Sequence, residues 1–365
     1  MKNSFGNNLT ITLFGESHGA YIGATLDGLA PGITIDDDFI KRQLTLRRPS
    51  GKISTARVEA DEYSIVSGVF NGKTTGTPLC IIIPNKVQRS KDYDNLSRIA
   101  RPGHADYTAY CKYHGYEDFR GGGHFSGRIT AAIVAAGSVC MYALRQKGID
   151  IGTHILSCGN VADRRFEDVA KDVEYLDGKA FAVLNDDVEA KMREVMEQVA
   201  SEGDSVGGVL ETAVTGMPKG VGEPWFDTVE GIIAHAMYSI PAIKGVQFGA
   251  GFDMVDCRGS EYNDPFRMNG DEVSTTSNNN GGINGGITNG MPILFRCAVK
   301  PTPSIYKEQK SIDFINNKDA DLVIEGRHDP AIIHRARIVV DCMTAICVYD
   351  ILAGRFGTDY FGGTK

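Results

Sequence analysis

The chain has 365 residues, 42 % hydrophobic and 23 % charged, which is enough apolar material for a sizeable core and a soluble globular protein. Its formal net charge of −8 argues against a general nucleic-acid binder, and no run of about 18 apolar residues offers a membrane span, so neither kind of partner is expected. Eight scattered cysteines with no C-x-x-C pair, behind an N-terminus without a secretory h-region, read as reduced core residues of a cytoplasmic protein.

Residues 9–15 (LTITLFG) and 21–29 (YIGATLDGL) alternate as strands. Residues 36–49 (DDDFIKRQLTLRRP) predict a helix with acidic residues at its N-terminus and Pro49 as its stop. Two more strands, 62–70 and 77–85, flank the turn NGKTTG. Residues 85–127 read as a long functional loop, rich in Gly, Arg, His and Tyr. The apolar run 129–148 predicts a helix with Gly148 as its cap, and 186–203 an amphipathic one ended by Gly203. Next come a strand at 205–216, a helix at 228–241, a strand at 292–300 and a helix at 335–354, and 356–365 reads as a frayed tail. With no repeat and no linker, the reading is one α/β domain over 1–365, with functional loops near 41–57, 85–127, 270–290 and 300–330.

Several motifs compete for the chemistry. Gly15-Glu16-Ser17-His18-Gly19 fits the Gly-x-Ser-x-Gly elbow of serine hydrolases, but an elbow needs strand, turn and helix, and residues 20–33 (AYIGATLDGLAPGI) read as strand and turn. GVFNGKT (68–74) is one residue short of a P-loop and reads as a hairpin turn. GGGHFSG (121–127) leads into the apolar helix, where free amides and the dipole suit an anion; a tight packing turn is the alternative, and Arg128 beside it favours the anion.

Between Lys41 and Arg57 lie six cations (Lys41, Arg42, Arg47, Arg48, Lys52, Arg57) and no acid. Others sit in loop motifs: Arg89, Lys91, Arg98, Arg101, Arg120, Arg128, Lys300 and Arg327. An acidic protein with cations placed so points to a small polyanionic ligand. His18, His104, His124 and His328 lie in loops bracketed by Gly or Pro and are candidate acid catalysts. His114, His154, His235 and His334 read as structural, and no zinc spacing occurs.

Ten motifs in order, FGESHG (14–19), RRP (47–49), RSKDY (89–93), RPGHADYT (101–108), FRGGGHFSGR (119–128), GDSVGG (203–208), SIPAIKG (239–245), NNNGGINGGITNG (278–290), KPTPSI (300–305) and GRHDP (326–330), resemble the chorismate synthase family over nearly the whole chain. The resemblance implies a single layered domain, helices and antiparallel sheets in a β-α-β-α-like sandwich, assembled as a homotetramer. It implies a carbon–oxygen lyase acting on phosphates: anti-1,4-elimination of phosphate from 5-enolpyruvylshikimate 3-phosphate gives chorismate, the last step of the shikimate pathway to aromatic amino acids. Reduced FMN is required without net redox change. No reductase domain is evident, so an external flavin reductant is expected, with NADPH as its indirect source.

Carried over by position, His18 resembles the histidine that protonates the reduced flavin, and His104 the one near the leaving phosphate. Asp329 resembles the carboxylate that helps remove the ring proton. Arg48, Arg101, Arg128 and Arg327 match the substrate's anion clamps. Flavin contacts are implied for Arg47 and Lys52 in the same basic patch, and for His124, Phe125 and Ser126. They are implied also for Ala242, for Gly285 and Gly286, for Lys300, Pro301, Thr302, Pro303 and Ser304, and for Arg327. No metal is implied. Two departures stand out: His124 where many members carry arginine, and Ile129 where many carry glutamate. On this reading His18 is the functional residue of FGESHG and Ser17 part of the turn that holds it. The rivals are a flavoprotein consuming NADPH in true redox chemistry, a non-catalytic binder of phosphorylated metabolites, and a serine hydrolase through Ser17.

Overall fold

The structure is a computed structural model and describes residues 2–49, 53–54, 60–86, 98–324 and 328–363. Strands β1 (Ser4–Phe5), β2 (Thr10–Gly15), β3 (Tyr21–Asp27) and β4 (Ser64–Ser67) come first. After a hairpin of β5 (Val69–Phe70) and β6 (Lys73–Thr74), β7 (Leu79–Pro84) completes a sheet ordered β1-β2-β3-β7-β4, antiparallel throughout. A second antiparallel sheet is built from β8 (Asp150–Cys158), β9 (Val161–Ala162), β10 (Gly208–Thr215), β11 (Ile243–Phe248) and β16 (Ile293–Val299), ordered β11-β16-β10-β8-β9. Between β11 and β16 the chain makes the hairpins β12 (Phe266–Asn269) with β13 (Glu272–Thr275) and β14 (Ile283–Asn284) with β15 (Ile287–Thr288). A last hairpin pairs β17 (Gln309–Asp313) with β18 (Lys318–Leu322).

Helices fill the space between the sheets. The apolar run of the sequence is α3 (Thr130–Arg145), packed against β3 and β7 on one side and against α8 (Ile333–Phe356) on the other. In turn α8 lies on β8 and β10. On the opposite face of that sheet sits α4 (Val169–Leu176): a Cβ on Gly152 of β8 would touch Val173, whereas one on Gly208 of β10 would touch Ile333 at the start of α8. The layers therefore run sheet, helices, sheet, helix, the sandwich that the resemblance implies. Flanking the middle layer are α1 (Asp37–Arg47) and α6 (Val229–Ser239), while α5 (Asp186–Ser201) covers β9. Asp36 caps α1, its carboxylate accepting from the Phe39 amide at 2.8 Å, a contact that contributes about 1 kcal/mol.

The segment 127–145 is long and apolar enough by composition to cross a membrane, which the sequence reading did not register, but 89 % of it is buried within the protein. Small residues let α3 and α8 approach closely: a Cβ on Gly137 would lie 2.4 Å from the Cys342 carbonyl oxygen. Apolar nearly all round, α8 is buried over most of its length. Two of its buried carboxylates have internal partners. Arg337 donates to Asp341 at 3.1 Å, and the Asp350 carboxylate accepts from the backbone N–H groups of Asn7, Asn8 and Leu9 near the N-terminus.

The stretch 85–127, read as mostly loop-like, holds the α-helix α2 (Asp106–Tyr113); a four-residue helix α7 (Gly259–Tyr262) precedes the hairpin arm. One expectation needs correction: residues 356–363 of the tail are not frayed, since 358–361 form a 3-10 turn, Phe361 is buried, and its ring stacks on Tyr349 at 3.9 Å.

Candidate functional site

A cleft of about 850 Å³ opens where the first sheet, the start of α3, the end of α6 and the segments 300–304 and 328–329 meet. Phe5, Ile11, Leu13, Ile129, Ile133 and Ile240 give it an apolar wall. Facing them is a polar rim of Arg101, His104, His124, Lys244, Lys300 and Asp329.

The glycine run shapes this rim differently from an anion cradle. Gly121, Gly122 and Gly123 all have positive φ, at 60°, 84° and 52°. A Cβ on Gly121 would lie 2.2 Å from Cε1 of His18, and one on Gly122 would lie 3.4 Å from Cε1 and Nε2 of His104. The absent side chain of Gly121 thus makes room for the His18 imidazole, while Gly122 only touches His104. FGESHG latches onto the run from the other side: the Ser17 amide donates to Gly123 O at 3.1 Å, and the buried Ser17 hydroxyl faces the carbonyls of Arg120 and Gly121 at 3.1 Å each. Its proton is spent on backbone, so Ser17 is a turn residue. His18 itself is 4 % exposed and sits behind Gly121 rather than in the cleft wall.

His124 does reach the cleft, and its Nδ1 lies 2.8 Å from the Gly15 carbonyl oxygen, which can only accept. Nδ1 therefore carries a proton. Phe125 and Ser126 come next in the wall; Ser126 Oγ accepts the Arg128 amide at 3.3 Å and caps the turn into α3.

Opposite, the loop 101–106 closes on one carboxylate. Asp106 Oδ2 accepts from the backbone N–H and Nε of Arg101 at 2.9 and 2.8 Å. Its Oδ1 lies 2.7 Å from Arg101 Nη2 and 2.6 Å from His104 Nδ1. Burial pushes the Asp106 carboxyl up, but these hydrogen bonds and charges outweigh it and hold the group well below the usual carboxylate range.

Segment 300–304 is tied to this loop and to Asp329. Lys300 Nζ donates to the Gly103 carbonyl, Arg101 Nη1 approaches Ser304 Oγ at 3.4 Å, and Thr302 Oγ1 donates to Asp329 O at 2.7 Å. Burial, and then the neighbouring Lys244, push the Lys300 ammonium below its ordinary pKa, a crowding that an anion would relieve. Ala242 accepts the Lys300 amide at 2.9 Å from a φ of +73°, a strained backbone for a residue with a Cβ and one typical of ligand-binding turns. The Asp329 carboxylate pairs with Arg335 Nη1 at 2.7 Å, and Arg335 Nε donates to Arg47 O at 2.8 Å.

Comparison with known proteins places the chain in a family. The family model described as chorismate synthase matches residues 9–353. The chain belongs to the chorismate synthase family. A chorismate synthase of Korarchaeum cryptofilum is 43 % identical over 348 residues, 95 % of this chain and 96 % of its own length. One from Dehalococcoides mccartyi is 43 % identical over 356 residues, covering 96 % of both chains. A solved structure titled "Crystal Structure of Chorismate Synthase" superposes with a TM-score of 0.76 at 29 % identity, over 96 % of this chain and 94 % of that one.

Of the positions matched to the chorismate synthase pattern, the cleft wall collects Arg101, His104, His124, Phe125, Ser126, Ala242, Lys300, Thr302, Pro303, Ser304 and Asp329. His18, Arg47, Arg48, Arg128, Pro301, Gly285 and Gly286 are not in that wall. Arg47 Nη2 lies 2.7 Å from Asp61 Oδ2, and Arg128 Nη1 pairs with Oδ1 of the same buried carboxylate while its Nε donates to Asn85 at 3.0 Å. Burial raises the Asp61 carboxyl, yet the two guanidiniums prevail and lower it. Arg48 donates to the Ala60 carbonyl. Gly285 and Gly286 form the β14–β15 turn, with Gly286 packed on Glu223 and Thr228. Lys52 and Arg327 lie outside the described residues.

Sequence reasoning missed Asp106, Asp61, Lys244 and Arg335, and it set His235 among structural histidines although that ring lines the cleft. For Asp106 a signal existed, since it sits in RPGHADYT two residues after His104. Asp61 and Arg335 lie outside every quoted motif, and only the fold brings them to the basic patch.

Proposed function

We propose that the protein is an enzyme, a carbon–oxygen lyase that eliminates phosphate from 5-enolpyruvylshikimate 3-phosphate to give chorismate, with reduced FMN and no net redox change, at the end of the shikimate pathway. The observation that carries the reading is the convergence of His104, Arg101, Lys300 and Asp329 on one cleft with an apolar wall. Its volume suits a cofactor and a small substrate together. The residues fit FMN: the apolar wall suits a flavin ring, and the crowded Lys300 and Lys244 suit a phosphate.

Reduced FMN, when bound in this cleft, would supply electron density to the substrate. Arg101 and Lys300 hold anionic groups by charge-assisted hydrogen bonds, and Ser126, Ala242 and Thr302 line the same wall. His104, with Nδ1 engaged by Asp106, presents Nε2 to the departing phosphate as a proton donor. Asp329, steadied by Arg335, stands as acceptor for the ring proton. His18 serves as proton carrier from behind Gly121. Within this proposal the protein is a cytoplasmic homotetramer whose flavin is reduced by an external source that draws on NADPH.

The test is anaerobic turnover of 5-enolpyruvylshikimate 3-phosphate with chemically reduced FMN, following chorismate and phosphate together and with oxidised FMN as control. Equimolar release that needs reduced flavin in catalytic amount is expected, and it falls at least about 100-fold in His104→Ala. Folded, flavin-loaded protein that releases neither product overturns the reading, and consumption of NADPH in step with product would favour a true redox enzyme.

A further inference from the structure

We propose that Asp106 is a positioning residue that sets the tautomer of His104 and aims Arg101, so that one buried carboxylate organises both groups. Two neighbours compete for Nδ1, and the carboxylate is the nearer. His104 Nδ1 lies 2.6 Å from Asp106 Oδ1 and 3.1 Å from Arg101 Nη2. An ionised carboxylate only accepts and a guanidinium only donates. An unprotonated Nδ1 would set lone pair against lone pair across the shorter of the two contacts. Nδ1 therefore carries the proton, and its approach to Arg101 is two donors crowded around a shared acceptor. Asp106 stays ionised because Arg101 supplies three donors to it and the group stands in the first turn of α2, where the helix dipole favours a negative charge.

In neutral His104 the basic nitrogen is then Nε2, which lies towards Gly122, where no side chain blocks it. In charged His104 Nε2 is the donor that faces outward. Arg101 meanwhile has Nε and Nη2 committed to Asp106, which leaves Nη1 directed at Ser304 and the cleft. The ring and the fork are held at fixed angles by one group, and the turn between them cannot flex independently.

The tautomer is a property of the chain alone; its catalytic consequence rests on the elimination proposed above. The experiment is solid-state 15N NMR of full-length, histidine-labelled protein at about pH 9, well above the ordinary histidine pKa. His104 signals are assigned by their loss in His104→Gln. Wild-type His104 is expected as the Nδ1–H form, and Asp106→Asn, whose amide can donate to Nδ1, is expected to shift it towards the Nε2–H form. In turnover, Asp106→Asn is expected to lower kcat by on the order of 10²- to 10⁴-fold with KM changed less than about threefold, and Asp106→Glu to recover part of it. Wild-type protein with His104 in the Nε2–H form overturns the proposal without any variant. So does folded Asp106→Asn that keeps both the wild-type tautomer and the wild-type kcat. If no variant and no wild type turns over, the lyase reading fails while the NMR arm still decides the role of Asp106.

Discussion

At Gly121 a φ of +60° and a missing Cβ coincide, and both are needed to seat His18. Gly121→Ala would force an L side chain into the left-handed region and drive it into the imidazole. We expect a destabilisation of about 2 kcal/mol, read from the urea midpoint, and a turnover loss larger than that stability change explains. Ser17→Ala makes the opposite test: it removes a hydroxyl that faces backbone carbonyls, costs about 1 kcal/mol of stability, and leaves turnover within a few-fold. A hydrolase would lose everything. At this scale the sequence is legible where chemistry and motif coincide, as at His104, Ser126, Lys300 and Asp329. It is illegible where a residue acts through a neighbour remote in the chain. Nothing in a linear string says that Gly121 clears space for His18, or that Arg47 and Arg128 share the buried carboxylate of Asp61.

Helix α8 carries its own pH dependence at its N-terminal end. His334 is buried with Nε2 at 2.8 Å from Ser54 Oγ, and burial, aided by the neighbouring Arg335 charge, pulls its pKa from 6.5 down to about 4. Between those values the unfolded chain binds a proton that the folded one refuses. The His334 contribution to stability therefore falls as pH drops through that window, by about 3 kcal/mol when the titration is complete. Asp341 on the same helix, its carboxyl pushed up to about 6 by burial, acts with the opposite sign there, so the slope belonging to His334 is read as the difference between wild type and His334→Gln in urea unfolding across about pH 7.5 to 4.5. Asp61 and Asp106, whose pKa values are lowered, hold their contributions down to the ordinary carboxylate range and lose them only below it. Long periodic elements such as α1, α3, α5 and α8 were readable because burial on one or all faces writes itself into composition. Helix α2 was not: its eight residues, DYTAYCKY, bury only Ala109 and show no apolar stripe. The terminal turn also escaped, since its order comes from Phe361 stacking on Tyr349 rather than from any local pattern.

Over the whole molecule, the segment between β11 and β16 leaves large apolar side chains uncovered. Phe252 is 78 % exposed and Phe266 66 %, with Val255, Met268 and Val273 nearby in sequence and also exposed. The proposed tetramer would cover such apolar groups. Light scattering is expected to give a mass about four times the 39.5 kDa chain, and Phe266→Asp to lower it without unfolding the protein. A wild-type mass of one chain would remove the tetramer from the proposal. One internal contact also sets a timetable. Asp350 fixes Asn7, Asn8 and Leu9 from more than 340 positions away. A ribosome adding about 5–20 residues per second needs roughly 20–70 s to cover that distance. The connection between β1 and β2, although made early, is thus among the last segments to reach its final contacts, and its backbone N–H groups go without this carboxylate until α8 is made.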